Sequence, residues 1–283
     1  MSGFVAVEID RAASFLAARG VENARLEAEV LLADVLGFDR ARLFAEPRRA
    51  LGDGERRAFD ALLGRRGRRE PLQHVRGHQE FFSREFLVDG RVLVPRPETE
   101  ILVETVLGAT RALSSLTILD VGCGSGVIGL TLALELPQAA VFASDVSPDA
   151  VDVARENARR WGLAGRVDLR CGDLFSPYAG RRFDIVVSNP PYVSSGELER
   201  LAPEVRDHEP RLALDGGPDG LAFHCRLAAE AGGVLDDDAA LVVEIGEGQG
   251  GSVAAIFSAA GLRVVAAQRD LAGLERVLTV RRG

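Results

Sequence analysis

Four consecutive residues, Asn189-Pro190-Pro191-Tyr192, place two carbonyl groups on a stiff backbone directly after an apolar run. Proline restricts the backbone, so the side-chain carbonyl of Asn189 and the main-chain carbonyl of Pro190 can point at one spot, and Tyr192 supplies a flat face. A planar NH2 group placed there would donate a hydrogen bond to each carbonyl. Its nitrogen is a poor nucleophile because its lone pair is delocalised, and two aligned acceptors stabilise the positive charge that grows as it attacks. The tetrad favours chemistry at an amide or an exocyclic amine.

A glycine-rich segment, Asp120-Val121-Gly122-Cys123-Gly124-Ser125-Gly126, follows one predicted strand and opens a predicted helix. Its glycines permit a tight turn against a ligand, and the start of a helix presents free N–H groups to a carboxylate or phosphate. Asp145 ends the next predicted strand, where an acid can accept hydrogen bonds from both hydroxyls of a ribose. Loop and acid together predict a site for a nucleoside-containing cofactor. Residues 124–129 also match the dinucleotide pattern G-x-G-x-x-G, so a dehydrogenase is an alternative.

Two further strand ends carry polar residues. Asp173 follows the third predicted strand, where it could accept a hydrogen bond from an adenine amino group while Leu174 lies against the ring, although a plain turn is the alternative. Glu244, Glu247 and Gln249 surround a glycine-rich turn at a later strand end, close enough to the expected cleft for a supporting polar role. The four histidines show no spacing typical of metal ligands, and no metal is expected.

The elements that must position these residues alternate along the second part of the chain. Apolar runs separated by helical segments indicate a mostly parallel sheet with helices on both faces, and ligands of such sheets bind beyond the carboxyl ends of the strands. These runs are Thr117 to Asp120, Val141 to Asp145, Val167 to Leu169, Phe183 to Ser188 and Ala240 to Ile245. The last two runs, Leu262 to Ala267 and Arg276 to Val280, have no helix between them and should form an antiparallel edge. The three aspartates at 236–238 are expected to form a turn.

The pattern of the first part of the chain predicts three to five short helices. Leu26, Val30 and Ala33 follow helical spacing, and Gly37 is the expected C-cap of that helix. A dense arginine run at 65–69 is interpreted as a solvated helix end, with a docking surface for an acidic or RNA-bound partner as the alternative.

A β-hairpin is predicted to join the two parts. Phe86 to Val88 and Val92 to Val94 would be its strands, and Asp89-Gly90 its turn. The strip Pro95 to Glu100 follows, in which two prolines stiffen the backbone before a helix can begin.

Composition sets limits on the class of protein. The chain has 283 residues, 47% hydrophobic and 27% charged, which suits a globular protein of about two domains. A net charge of -8 argues against a general nucleic-acid binder, and three widely spaced cysteines suggest no disulfide framework. No apolar run is long enough for a membrane span and the first ten residues carry two acids, so the expected location is cytoplasmic.

Several of these motifs together resemble the class I S-adenosylmethionine-dependent methyltransferases that methylate planar nitrogens, a group that includes adenine-N6 and protein glutamine-N5 enzymes. The segments at 71–77, 94–100 and 270–277 narrow the resemblance to the release factor glutamine methyltransferase family. They read Pro71-Leu72-Gln73-His74-Val75-Arg76-Gly77, Val94-Pro95-Arg96-Pro97-Glu98-Thr99-Glu100 and Asp270-Leu271-Ala272-Gly273-Leu274-Glu275-Arg276-Val277. The resemblance covers essentially the whole chain, and residues 96–100 favour this branch over ribosomal-protein glutamine methyltransferases. Leu174 departs from members that have an aromatic residue beside the adenine.

The resemblance implies a fold, a division into domains and a reaction. The fold is a Rossmann-like α/β methyltransferase domain at 101–283 with an antiparallel C-terminal edge, a β-hairpin linker at 81–100 and a helical substrate-recognition domain at 1–80. The reaction is methylation, by S-adenosylmethionine, of the side-chain nitrogen of the Gln in the Gly-Gly-Gln motif of peptide chain release factors, with S-adenosylhomocysteine as product. A monomer without membrane or direct nucleic-acid contacts is expected.

The resemblance also assigns residues to roles. The cofactor would be held by Gly122, Cys123, Gly124, Ser125, Gly126, Asp145, Asp173, Leu174 and Asn189. Asn189, Pro190, Pro191 and Tyr192 would hold the glutamine amide, with Asn189, Pro190 and Tyr192 as the catalytic group, and Arg96 and Glu98 would border the substrate channel. A nucleic-acid amino methyltransferase of the adenine-N6 type and a ribosomal-protein glutamine methyltransferase are the alternatives.

Overall fold

The structure, a computed structural model, describes residues 3–110 and 116–282 and divides the chain into two units. The first unit comprises Met1–His78 together with Ala202–His208, and the second comprises Gln79–Leu201 and Glu209–Gly283. The sequence suggests a boundary at 80 but gives no sign that 202–208 belongs to the first unit. That segment is short and has one large apolar residue, Val205, so it carries no readable pattern.

Six helices make up the described part of the first unit. They are α1 (Val5–Ala17), α2 (Ala24–Leu36), α3 (Arg40–Ala45), α4 (Asp53–Gly67), α5 (Leu72–Arg76) and α9 (Pro203–His208). Helix α2 ends at Gly37 as predicted, where φ is 63° and a side chain would be strained. Its predicted apolar stripe is wrong at Leu26, which is 44% exposed. Ala33 is buried as predicted, and the rest of the apolar buried face consists of Ala24, Ala28, Leu31 and Leu32, since small alanines let α2 lie close to α1.

The arginine run at 65–69 forms ion pairs within this unit. Arg66 is 4% exposed and bonds to Glu27 and, at 3.0 Å, to Glu204 of α9. Arg69 donates to both carboxylate oxygens of Glu204, at 2.6 and 2.7 Å, and Arg65 pairs with Glu70. The interpretation as a solvated helix end is therefore wrong for Arg66, which is buried. Arg65 and Arg69 remain partly exposed, and carboxylates of the same unit pair with both.

A two-stranded hairpin opens the second unit, but not at the predicted residues. Its strands are β1 (His78–Phe81) and β2 (Arg84–Leu87), and the turn residues Phe82 and Ser83 have φ of 51° and 57°. The predicted turn at Asp89-Gly90 is present, since the Val92 N–H donates to the Asp89 carbonyl at 3.1 Å, but it joins no pair of strands. The predicted strand Val92 to Val94 is wrong. Val88 and Val92 are buried instead against helix α8 (Pro148–Arg160), so packing rather than strand pairing uses these apolar side chains.

A seven-stranded sheet forms the centre of the second unit. Its strands are β3 (Thr117–Val121), β4 (Ala140–Asp145), β5 (Val167–Cys171), β6 (Phe183–Ser188), β7 (Leu235–Glu244), β8 (Leu262–Arg269) and β9 (Glu275–Arg282). Their order is β5-β4-β3-β6-β7-β9-β8, with β3 to β7 parallel and the last two strands antiparallel, as the sequence predicts. The predicted turn at 236–238 is wrong, because these aspartates lie within β7, where its pairing with β6 shifts register.

Helices pack on this sheet and enclose two apolar cores. They are α6 (Glu100–Thr110), α7 (Val127–Glu135), α8, α10 (Ala222–Ala231) and α11 (Gly250–Ala259). One core gathers Phe183, Leu227 and Phe257, and the other gathers Val103, Leu130 and Ile185. The chain order reverses between β3 and β6, and in α/β sheets ligands bind at such a reversal. Within the described ranges, no helix has the length and apolar character needed to cross a membrane.

The buried arginine cluster yields a stability prediction. Glu204→Ala should lower the free energy of unfolding by about 1 to 3 kcal/mol, because Arg66 keeps its buried position and loses one of two carboxylate partners. Denaturant unfolding followed by circular dichroism measures this change. Asp207→Ala is the matched control, since it removes an exposed carboxylate of α9 that pairs with its neighbour Arg206. Equal behaviour of the two variants would contradict the role given to Glu204.

Candidate active site

A cleft lies beyond the carboxyl ends of β3, β4, β5 and β6. Among its lining residues are eleven that the sequence predicts for the site, namely Arg96, Gly122, Cys123, Gly124, Ser125, Asp145, Asp173, Leu174, Asn189, Pro190 and Pro191. Three predicted residues do not line it. Gly126 lies against Ala154 of α8, Tyr192 hydrogen-bonds to Glu244, and Glu98 lines a separate groove beside α6.

The glycine-rich loop has the backbone that its composition predicts. Gly122, Gly124 and Gly126 have φ of 73°, 53° and 84°, values that other residues rarely adopt. A Cβ on Gly122 or Gly124 would meet nothing within 4 Å, so the loop presents open backbone to the cleft. A Cβ on Gly126 would lie 3.1 Å from the Cβ of Ala154, so this glycine lets α7 and α8 approach closely.

Asp145 joins the loop to the end of β4. Its Oδ2 accepts a hydrogen bond from the Gly124 N–H and its Oδ1 accepts one from the Ser147 N–H, both at 2.9 Å. The N-cap of α8 is Ser147, whose hydroxyl accepts from the Ala150 N–H, so Asp145 is not needed as that cap. Each carboxylate oxygen keeps a second lone pair, which can accept from a vicinal diol in the cleft. Burial raises the pKa of Asp145, and the backbone donors oppose that rise.

Asp120 is fully buried beneath the loop. Its Oδ2 accepts from the Gly129 N–H at 2.9 Å, while its Oδ1 has no partner among the described residues. A Cβ on residue 129 would lie 3.0 Å from that Oδ2, which explains a glycine inside α7. Burial raises the pKa of Asp120 to about 7.

The end of β5 contributes Asp173 and Leu174. Asp173 is half exposed and accepts a bond from Arg226 at 2.6 Å, so one of its oxygens is engaged on the rim of the cleft. Leu174 has a φ of 45°, and its carbonyl accepts from the buried Ser144 hydroxyl at 2.9 Å. That bond fixes the apolar Leu174 side chain at the cleft wall.

The tetrad that follows β6 presents its acceptors to the same cleft. The Asn189 Nδ2 donates to the Thr99 hydroxyl at 3.1 Å, and neither the Asn189 Oδ1 nor the Pro190 carbonyl has a partner among the described residues. Tyr192 donates from its hydroxyl to Glu244 Oε1 at 3.3 Å. Burial, together with the Glu244 charge, raises the pKa of Tyr192, so its hydroxyl stays protonated.

Arg96 and Glu98 occupy different places. Arg96 lines the cleft and pairs at 2.7 Å with Glu209, which is 6% exposed and whose pKa is raised by burial. The pair fixes the backbone on one side of the cleft. Within the part of the chain that the structure describes, no group of three or more side chains is placed to hold a metal ion.

The sequence gives no indication of two contributors to this site. Thr99 lies in the recognised strip 95–100 but is given no role there, and Glu209 lies outside every recognised motif. Only the fold brings them to Asn189 and Arg96. Glu244 is different, because its place at a strand end signals proximity. The assembled cleft can accept hydrogen bonds from a diol at Asp145 and from an NH2 group at Asn189 and Pro190, with apolar surface between them.

Comparison with known proteins shows which proteins this chain resembles. Residues 9–77 match the model of the PrmC N-terminal domain, and residues 97–206 match the methyltransferase small domain. A release factor glutamine methyltransferase from Geobacter sulfurreducens is 44% identical over 97% of this chain and 95% of its own. One from Moorella thermoacetica is 47% identical over 87% of each chain. A methyltransferase structure from Pyrococcus furiosus shares the fold, with a TM-score of 0.55 at 19% identity over 72% of this chain and 91% of the other.

The buried Asp120 yields a pH prediction. The folded protein holds its proton up to about pH 7, whereas an unfolded aspartate loses it near pH 4. The stabilisation that protonated Asp120 gives the fold is therefore fully present below about pH 4 and is lost as the pH rises toward 7. The side chain at residue 120 cannot ionise in Asp120→Asn. The free energy of unfolding of this variant minus that of the wild type should therefore increase by up to about 1.4 kcal/mol per pH unit between pH 5 and 7. Denaturant titrations at several pH values test this, and a constant difference would mean that Asp120 is ionised in the fold.

Proposed function

Because the chain belongs to the family of release factor glutamine methyltransferases, we propose that it methylates the side-chain N5 of the Gln in the Gly-Gly-Gln motif of peptide chain release factors. S-Adenosylmethionine is the methyl donor and S-adenosylhomocysteine the product. The observation that carries this proposal is that one cleft holds both Asp145 and the Asn189 and Pro190 carbonyls, which have no partner among the described residues.

The residues present fit this donor. Gly122 and Gly124 leave open backbone, Asp145 keeps free lone pairs for the ribose hydroxyls, and Leu174 offers an apolar surface to the adenine. Asp173 has one oxygen bonded to Arg226 and keeps acceptor capacity for an amino group. When bound, S-adenosylmethionine supplies an electrophilic methyl group on a positively charged sulfur. The loop and Asp145 would hold its nucleoside so that this methyl lies beside Asn189.

The tetrad would prepare the glutamine nitrogen. Asn189 Oδ1 and the Pro190 carbonyl accept one hydrogen bond each from the substrate NH2, which aligns the nitrogen with the cleft. As the N–CH3 bond forms and the S–CH3 bond breaks, positive charge grows on that nitrogen and both acceptors stabilise it. The proton becomes acidic only afterwards and can pass to water. Tyr192, anchored by Glu244, would pack beside the amide rather than exchange protons with it.

The helical unit is assigned a role in recognition. Every residue that lines the cleft belongs to the second unit, so the first unit supplies none of the reacting groups. Residues 9–77 match a domain of this family, which supports a function beyond general stability. We propose that residues 1–80 bind the folded part of the release factor and orient its loop, with 81–100 as the connection to the methyltransferase domain at 101–283.

The charge of the chain argues against a nucleic-acid substrate. A nucleic-acid methyltransferase would need basic surface, whereas the chain has a net charge of -8 and its arginine run is internally paired. We therefore propose a protein substrate without direct nucleic-acid contacts. A monomer is proposed on the family resemblance alone. Release factors work on ribosomes, so a cytoplasmic location follows from the proposed substrate.

Cofactor binding should depend on Asp145. Asp145→Ala should weaken S-adenosylmethionine binding by about 1 to 3 kcal/mol, because two ribose hydroxyls lose a charged acceptor. Isothermal calorimetry measures the affinity. Asp149→Ala, an exposed acid in the first turn of α8, is the matched control and should bind as the wild type does. Equal affinities for the two variants, or tight NAD binding in place of S-adenosylmethionine, would contradict the assignment.

Methyl transfer should depend on Asn189. The wild type should transfer labelled methyl to purified release factor and not to a release factor whose Gly-Gly-Gln glutamine is replaced, nor to DNA or RNA. Asn189→Ala should lower kcat about 100-fold or more while changing S-adenosylmethionine affinity much less, because it removes an acceptor that matters most in the transition state. Methylated nucleic acid would favour the alternative function, and activity within a few-fold of wild type would remove Asn189 from the mechanism.

A further inference from the structure

A side-chain amide from a neighbouring turn holds the end of the tetrad. Gln249 Nε2 donates to the Tyr192 carbonyl at 3.0 Å and to the Gly220 carbonyl at 3.4 Å. Gln249 Oε1 accepts from the Gly246 N–H at 2.9 Å. One amide therefore joins three segments, namely the tetrad after β6, the loop before α10 and the turn after β7. Only one orientation of this amide fits, because the reverse would set its oxygen against two carbonyl oxygens.

Two glycines let the backbone approach this amide closely. A Cβ on Gly246 would lie 2.8 Å from Gln249 Oε1 and 3.1 Å from the Tyr192 ring, and a Cβ on Gly220 would lie 2.8 Å from Gln249 Nε2. Gln249 is also the N-cap of α11, yet its side chain makes no capping hydrogen bond. Side chains at that position commonly satisfy the free N–H groups of their own helix. The Gln249 side chain is committed to the tetrad and its surrounding loops instead.

The tetrad is a short span that is held at both ends. It begins where β6 ends, and strand pairing with β3 fixes it there. At the other end Tyr192 is bonded twice, through its carbonyl to Gln249 and through its hydroxyl to Glu244 at 3.3 Å. Between the two ends, the rings of Pro190 and Pro191 fix φ, so few backbone rotations remain. Holding the Tyr192 carbonyl therefore also sets the direction of the Pro190 carbonyl.

This geometry gives Gln249 a part in the reaction. We propose that Gln249 is a positioning residue, which directs the Pro190 carbonyl at the substrate NH2 group by holding the Tyr192 carbonyl. The inference rests on the proposed function. Gln249 does not line the cleft, so it acts on the reaction only through the tetrad. The effect on rate is large because a reacting group displaced by about 1 Å loses much of its transition-state stabilisation.

Two substitutions of Gln249 in the full-length protein test this role. Gln249→Met keeps the length of the side chain but removes its NH2 donor. Gln249→Glu keeps the shape: when protonated, the new carboxyl group can donate to the Tyr192 carbonyl and accept from the Gly246 N–H, whereas the ionised form only accepts and is repelled by the carbonyls. Gln138→Glu is the matched control, because it makes the same exchange at an exposed residue in the turn that enters β4, at the opposite end of that strand from the cleft.

The measurements are kcat and KM for release factor and the affinity for S-adenosylmethionine, from about pH 5.5 to 8.5. We expect Gln249→Met to lower kcat about tenfold or more at every pH, with KM and cofactor affinity changed far less. The kcat of Gln249→Glu divided by that of the wild type should be highest at the acidic end and fall about threefold or more toward the basic end, because repulsion from two carbonyl oxygens delays loss of the proton. The same ratio for Gln138→Glu should stay near one.

Other groups near Gln249 also titrate or carry charge, and they are the same in the wild type and in each variant. Dividing by the wild-type kcat therefore removes their effect. Those on the surrounding segments are Tyr192, Asp219, His224, Glu244, Glu247, Glu275 and Arg276. The folded fraction, from circular dichroism at each pH, corrects each rate, and Gln249→Met provides the decision if Gln249→Glu does not fold.

The possible results separate two conclusions. A wild-type kcat in Gln249→Met, or a Gln249→Glu ratio that does not change with pH, would overturn the positioning role alone. An equal loss of kcat and of S-adenosylmethionine affinity in Gln249→Met would overturn it too, because the whole cleft would then depend on Gln249. No methyl transfer to release factor by the wild type would overturn the proposed function, and this inference with it.

Discussion

Parallel pairing aligns the ends of four neighbouring strands, and the site depends on that alignment. Val121 of β3 pairs with Ser144 of β4 and with Ser188 of β6, and Ser188 in turn pairs with Val243 of β7. The four residues form one row across the sheet. The residues that follow this row are Gly122, Asp145, Asn189 and Glu244, so the loop, the diol acceptor, the amide acceptor and the buried acid all emerge at the same level. A shift of one residue in any strand would turn its side chains to the opposite face and separate these groups.

Much of this arrangement can be predicted because its signals are local. The strand runs, the glycine-rich loop and the acids at strand ends lie in short segments, and the rule that places ligands at the carboxyl ends of parallel strands brings them together. The hairpin was predicted at the wrong residues because Val88 and Val92 suit a strand as well as a helix-packing surface. The segment 202–208 and Thr99 could not be predicted, since their roles come from partners distant in sequence.

Buried acids recur around the cleft, each with a different environment. Asp120 has a single backbone donor, Glu209 has the guanidinium of Arg96, and Glu244 has the hydroxyl of Tyr192. Each costs desolvation free energy, which the apolar cores on both faces of the sheet must offset. Such groups hold loops and side chains in one arrangement. They lower the stability of the fold, but they keep the cleft preorganised.

The ion pair between Arg66 and Glu204 has a consequence for how the protein is made. Its partners are separated by 138 residues, so the helical unit, although it begins the chain, lacks one of its helices until α9 has left the ribosome. Most of the parallel sheet is synthesised in that interval, and only β7 to β9 remain to be made. The N-terminal unit therefore cannot be completed vectorially, ahead of the rest of the chain, as separate N-terminal domains are. For the same reason, recombination that exchanged residues 1–78 between relatives would have to carry a compatible segment 202–208 with them.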